Sequence, residues 1–178
     1  NTDLTKLLNQ SLKSLEKFSS IGITSSIQHL HKLEEVKLFY ESNRKKVIVP
    51  TKKGFAAYDG HVIGCEYNSL KLIQNNVDAF IVVGNQFHSL GAALSINKPV
   101  FLLDTYNMEV QDMQKLKDKI IKQRAIAIQK VKDANNIGII IGTKLGQRFG
   151  TFEAIKTKLE KLNKNVIPIS MDEVTQDK

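Results

Sequence analysis

Tryptophan is absent from this chain, and aromatic residues of all kinds make up only 7% of its 178 residues. Single-stranded nucleic acids are usually held by bases stacked on aromatic side chains, and that platform is missing here. The formal charge of +8 would suit an acidic partner. Its lysines, however, spread over predicted helix faces, Lys115, Lys117, Lys119 and Lys122 on one and Lys156, Lys158, Lys161 and Lys164 on another. They read as solvated surface, and no direct nucleic-acid partner is expected. No apolar run approaches the roughly 20 residues of a membrane-spanning helix, so no membrane partner is expected either. Residues 1–18 place leucines at helical spacing among lysines, unlike the charged head and apolar block of a signal peptide. The single cysteine, Cys65, excludes an internal disulfide framework and points to a reducing, cytoplasmic compartment. Asn, not Met, stands first, which suggests a chain processed or cut from something longer.

What is present is a soluble-type alternation of helices and buried strands. Leu4, Leu7, Leu8, Leu12, Leu15 and Phe18 predict an opening amphipathic helix. A short strand at 21–24, a helix over 28–42 and a buried strand at 47–49 stopped by Pro50 make a parallel crossover unit. Residues 55–63, with Asp59-Gly60 at the centre, read as a β-hairpin with a tight two-residue turn. A helix beyond Cys65 leads to the apolar run 79–84, a short helix over 88–96 and the strand 99–104. A long charged helix is expected over 109–133, broken at Asn135-Asn136. A second series then begins, with a strand at 137–142, a glycine-bearing loop, a helix over 152–162 and a strand at 166–169. The fold class is therefore α/β: a small parallel sheet flanked by helices with a β-hairpin, followed by an incomplete second α/β unit. The first domain is expected over 1–108, and a linker helix with the partial second unit over 109–178. Two strands cannot bury a sheet on both faces, so this second unit is expected to need a further segment or a partner.

Few stretches carry chemistry on residue type alone. His29 and His31 are two apart and would face different sides of a helix, and no second cysteine supports a zinc site. The loop 142–150 follows a strand and opens a helix, so its N–H groups with Lys144 and Arg148 would suit an anion such as a carboxylate. It lacks the ending of a Walker motif, and glycines for packing with solvated basic residues explain it equally well. His88, between a strand and a helix, is either a capping residue or part of a site shared with Asp104 at the end of the next strand. Cys65 follows Gly60-His61-Val62-Ile63-Gly64 where the chain hands over to a helix, and it is either a core thiol or a group on the ligand face.

Four stretches together resemble one family. These are Gln28-His29-Leu30-His31-Lys32-Leu33-Glu34-Glu35-Val36, Tyr58-Asp59-Gly60-His61-Val62-Ile63-Gly64-Cys65, Phe87-His88-Ser89-Leu90-Gly91-Ala92-Ala93-Leu94 with Lys98-Pro99-Val100, and Gly142-Thr143-Lys144-Leu145-Gly146-Gln147-Arg148. In this order they resemble the diphthamide-synthesis enzymes, the 2-(3-amino-3-carboxypropyl)histidine synthases. The resemblance implies three similar α/β domains, each giving one cysteine to a 4Fe-4S cluster, with S-adenosylmethionine held at the open iron and cleaved to a 3-amino-3-carboxypropyl radical. The acceptor would be a histidine of translation elongation factor 2, and the assembly a homodimer or a heterodimer with a paralogue.

Carried over by motif, the resemblance makes Cys65 the second of three cluster ligands. It places Gln147, Lys144 and Arg148 near the carboxylate of S-adenosylmethionine, and His88 and Gln28 along the pocket. The family's first and third cysteines are absent, as in a fragment holding the second domain and part of the third, so the chain alone is expected to be inactive. Ser89 stands where proline is common in the family. Two other readings fit the same residues: a noncatalytic α/β module binding a small anionic metabolite or a protein, and a subunit supporting a catalytic paralogue.

Overall fold

The structure is a computed structural model and describes residues 4–143 and 151–173. Two compact units are formed, Asn1–Ile120 and Ile121–Lys178. In the first, α1 (Thr5–Ser14) buries Leu7 and Leu8 and leads to β1 (Ser20–Ser25). A 3₁₀ turn (Ile27–Lys32), α2 (Leu33–Ser42) and β2 (Lys46–Ile48) follow. After a long loop come α3 (Asn68–Ile73), β3 (Ala79–Gly84), α4 (Gln86–Ser95), β4 (Val100–Asp104) and β5 (Glu109–Asp112). The sheet order is β2-β1-β3-β4-β5, parallel throughout except for β5 at the edge.

Burial on both faces explains why β3 is apolar along its whole length. Ala79, Ile81 and Val83 pack with Phe101 and Leu103 against α1 and α2, where Leu7, Val36 and Tyr40 meet them. Phe80 and Val82 pack with Val100 and Leu102 against α3 and α4, beside Leu70, Ala92 and Ala93. From β1 the chain moves outward to β2 and then returns across to β3, so the direction of winding reverses between β1 and β3. In an open parallel sheet, the crevice outside the carboxyl ends of two such strands is where ligands bind.

Three expectations change. The hairpin over 55–63 is a turn without a strand partner: His61 N donates to Tyr58 O at 3.2 Å, closing the Asp59-Gly60 turn. His61 bridges in parallel to Ser25 of β1 instead of to Phe55–Tyr58, and Phe55 and Tyr58 remain exposed with no face to cover. The helix expected from 109 begins at Gln114, because Glu109–Asp112 pairs antiparallel with β4 and Asp112 Oδ1 accepts the Gln114 N–H at 2.8 Å. Residues 109–112 therefore belong to the first unit rather than to a linker helix. The stretch 28–42 is not one helix but a 3₁₀ turn followed by α2.

The second unit takes up α5 (Gln114–Asp133) from Ile121 onward and adds β6 (Asn136–Gly142), α6 (Phe152–Glu160) and β7 (Asn165–Met171), with β6 and β7 parallel. Among its described residues none is buried, and Ile140, Ile155, Leu162, Ile167 and Ile169 are exposed.

One device recurs in both units. After α2 and after α6 the chain turns through a residue of positive φ, Arg44 at 61° and Asn163 at 57°. The next N–H, of Lys45 or Lys164, then reaches back to Tyr40 O or Leu159 O, a Schellman-type helix end. The side chain of that lysine caps the preceding helix. Lys45 Nζ donates to Leu15 O at 2.8 Å and Phe18 O at 2.6 Å. Lys164 Nζ donates to Lys132 O at 2.5 Å and Ala134 O at 2.6 Å. Removing a charged donor from partly buried carbonyls costs about 2 kcal/mol. Lys45→Ala is expected to lower the urea midpoint of the first unit accordingly, and an unchanged midpoint would contradict the capping role.

Candidate functional site

The loop between β2 and α3 is tied to the switch point by backbone pairing. Ser25 N donates to Gly60 O at 2.8 Å, and Val62 N donates to Ser25 O at 3.0 Å. Gly60 has φ +73°, and a Cβ there would strike Leu33 and Val49, so the turn tolerates no side chain. Val62 and Tyr67 are both buried in the α3–α4 side of the core. Between these anchors the chain makes one tight turn, closed by Glu66 N donating to Ile63 O at 3.0 Å. Gly64 and Cys65 form its apex. The Gly64 backbone lies directly against the Phe87 ring, which a Cβ would overlap, and Cys65 is exposed. The core reading of this thiol is thereby excluded. Tyr67 lies against Gly91 of α4 with its hydroxyl buried and without a hydrogen-bond partner. Burial, and secondarily the charge of Cys65, pushes that phenol up to about 12.

The same turn meets the start of α4. Asn85 caps that helix, its Oδ1 accepting His88 N–H at 3.2 Å and approaching His88 Nδ1 at 2.9 Å. An amide oxygen only accepts, so Nδ1 carries the proton and Nε2 is left as an acceptor. Burial, then the neighbouring His61, lowers the His88 pKa below its ordinary value, which keeps the ring neutral near pH 7. His61 Nδ1 in turn accepts the Ala57 N–H at 3.3 Å. Cys65, His61 and His88 do not form a closed metal cage: no group of three His, Cys, Asp or Glu side chains with ligand geometry occurs among the described residues.

Gln28 is exposed on the 3₁₀ turn that leaves β1, at the same end of the sheet. Lys144, Gln147 and Arg148 lie outside the described residues. Of the residues expected at a site, the fold thus brings Cys65 and His88 to one edge, with Gln28 on the turn beside β1.

A second constellation lies on this edge and includes His29 from the first motif. His29, Gly84, Asn85, Asp104, Thr105, Tyr106 and Asn107 line an open cleft of about 470 Å³ at the carboxyl ends of β3 and β4. His29 Nε2 lies 3.2 Å from Thr105 Oγ1. Its pKa is lowered by burial and by His31, against a smaller opposing pull from Asp104. Burial alone would raise the Asp104 carboxyl. Hydrogen bonds from Asn107 and Tyr106 and the His29 charge outweigh it and leave the group below its ordinary range. Asp104 at a strand end was legible as a ligand-face residue. The pairing of His29 with Thr105 was not legible, because it spans 76 residues.

Compared with known proteins, residues 1–178 match the family of diphthamide synthesis proteins. The chain is 28% identical to the 2-(3-amino-3-carboxypropyl)histidine synthase of Pyrococcus horikoshii, over 98% of this chain and 51% of that protein. It is also 28% identical to 2-(3-amino-3-carboxypropyl)histidine synthase subunit 1 of Kluyveromyces lactis, over 100% of this chain and 43% of that one. The crystal structure of Dph2 from Pyrococcus horikoshii with a 4Fe-4S cluster superposes with a TM-score of 0.84 at 26% identity, covering 99% of this chain and 52% of that chain. The chain thus spans about half the length of these relatives.

The exposed turn makes a direct prediction about the thiol. Iodoacetamide should modify Cys65 stoichiometrically in the native chain, as fast as in the chain unfolded by urea within a few-fold. Protection that disappears only on unfolding would contradict the exposed placement.

Proposed function

The chain belongs to the diphthamide synthesis protein family, and from that premise we propose that it carries one of three cysteine ligands of a 4Fe-4S cluster in a 3-amino-3-carboxypropyl transferase. The observation that carries this reading is the exposed Cys65 thiol, held at the switch-point edge of the sheet. A relative similar along nearly all of this chain was crystallised with such a cluster. The fit is chemical: cluster iron is usually held by thiolates on outward-facing loops, and this turn presents one with no competing hydrogen-bond partner among those described. A cluster held there would supply the electron for reductive cleavage of the S-adenosylmethionine sulfonium, giving 5′-methylthioadenosine and a 3-amino-3-carboxypropyl radical.

The chain's own residues then have distinct roles. Gln147, Lys144 and Arg148, carried over by motif, bind the methionine carboxylate through their amide and cationic groups. Neutral His88, held in one tautomer by Asn85, and Gln28 line the pocket and supply hydrogen bonds without adding charge. The parent protein transfers the 3-amino-3-carboxypropyl group to a histidine of translation elongation factor 2, the first step toward diphthamide, in a reducing cytoplasmic compartment. The first unit, with its edge strand β5, corresponds to the second domain of the parent, and the second unit to part of a third. The apolar side chains left exposed on α6, β6 and β7 are covered there by the rest of that domain. Assembly is as a homodimer or with a paralogue; the Kluyveromyces lactis relative is named as subunit 1.

Two measurements test the reading. In the full-length protein, Cys65→Ala should reduce bound iron and sulfide to background, and an unchanged iron content would sink the ligand assignment. Anaerobic reconstitution of the 178-residue chain, which has one thiol, should give no stable cluster. Four irons and four sulfides retained per chain would overturn the three-cysteine arrangement.

A further inference from the structure

The cleft at the ends of β3 and β4 is not accounted for by any role above. Its position is continuous with the Cys65 edge, because Asn85 lines the cleft while its side chain fixes His88 on the other side. Its charge is opposite to that of the chain. Among the lining residues Asp104 is the one formally charged group, and no lysine or arginine is present, although the sequence carries a net +8. Anions are therefore disfavoured, and a neutral or cationic nitrogen donor is favoured.

Asp104 is also held in place rather than free to swing. Oδ1 accepts the Tyr106 and Asn107 N–H groups at 2.9 and 3.0 Å, and Oδ2 accepts Asn107 Nδ2 at 2.9 Å. A carboxylate has about four acceptor positions, so Oδ2 retains one for a ligand. At the rim, Tyr106 is 93% exposed and offers an open aromatic face. A fixed carboxylate beside an open aromatic face matches a planar ring that donates an N–H and stacks.

We propose that this cleft, between His29, Asp104 and Tyr106, receives an imidazole side chain presented by the protein substrate. This rests on the reading above, in which the acceptor is a histidine, and extends it by assigning the acceptor's binding site to this chain. The cleft volume of about 470 Å³ is ample for an imidazole together with the backbone that carries it.

Titration of the 178-residue chain with Nα-acetylhistidine methylamide, followed by backbone amide NMR, tests the assignment without any cluster. Saturable shifts are expected at His29, Asn85, Thr105 and Tyr106. Asp104→Asn should weaken binding about tenfold, the usual loss when a charge-assisted hydrogen bond becomes a neutral one. Because Asp104 also shapes its own loop, Tyr106→Ala is the second variant: the ring is exposed, so the fold should be unaffected while affinity falls several-fold. Shifts mapping elsewhere, no saturation, or unchanged affinity in Tyr106→Ala would overturn the proposal. So would equal or tighter binding of Nα-acetylarginine methylamide or of S-adenosylhomocysteine at the same residues. The Cys65 ligand assignment is tested separately by iron content, so either can fail alone.

Discussion

Two backbone hydrogen bonds join Ser25 at the end of β1 to Gly60 and Val62, and the candidate site depends on them. They bring a long loop onto the sheet where the winding direction reverses. Val62 then drops into the core, Tyr67 does the same five residues on, and the chain between must turn outward. The exposure of Cys65 is a consequence of its neighbours' burial. Gly60 and Gly64 are the two positions that make this possible, one by its positive φ and lack of side chain, the other by admitting the Phe87 ring. A substitution at either would move the thiol without touching it.

The strands that bury both faces were legible from the sequence, since 79–84 and 100–103 read as unbroken apolar runs with no polar face to present. The crossover units followed from the same pattern. What misled was local chemistry without its partner. Asp59-Gly60 does make a tight turn, but the strand that pairs next to it is β1, more than 30 residues upstream, and turn residues carry no information about that distance. Glu109–Asp112 looked helical because it adjoins a charged helix; its pairing with β4 is a tertiary choice that propensity does not contain. At the site, Cys65 was marked by its rarity and its motif. The cleft of His29 and Asp104 was half visible, through a carboxylate at a strand end and a motif histidine, and their meeting at Thr105 became apparent only from the fold.

The recurrence of the lysine cap at Lys45 and Lys164 gives the internal similarity of the two units a physical basis. In each, a residue of positive φ turns the chain, and an ammonium group then closes the end of the preceding helix. The units differ in burial. The first packs helices on both faces of five strands, whereas the second pairs two strands with no buried residue among those described.

The central claim is that Cys65 is a cluster ligand and not simply an exposed thiol. It is tested most directly by mass-spectrometric mapping of iodoacetamide labelling in the full-length protein, before and after anaerobic cluster reconstitution. Cys65 should be labelled in the cluster-free protein, protected in the reconstituted protein, and labelled again when a chelator strips the iron. Equal labelling of Cys65 in all three states, with the cluster present by its iron and sulfide content, would contradict it.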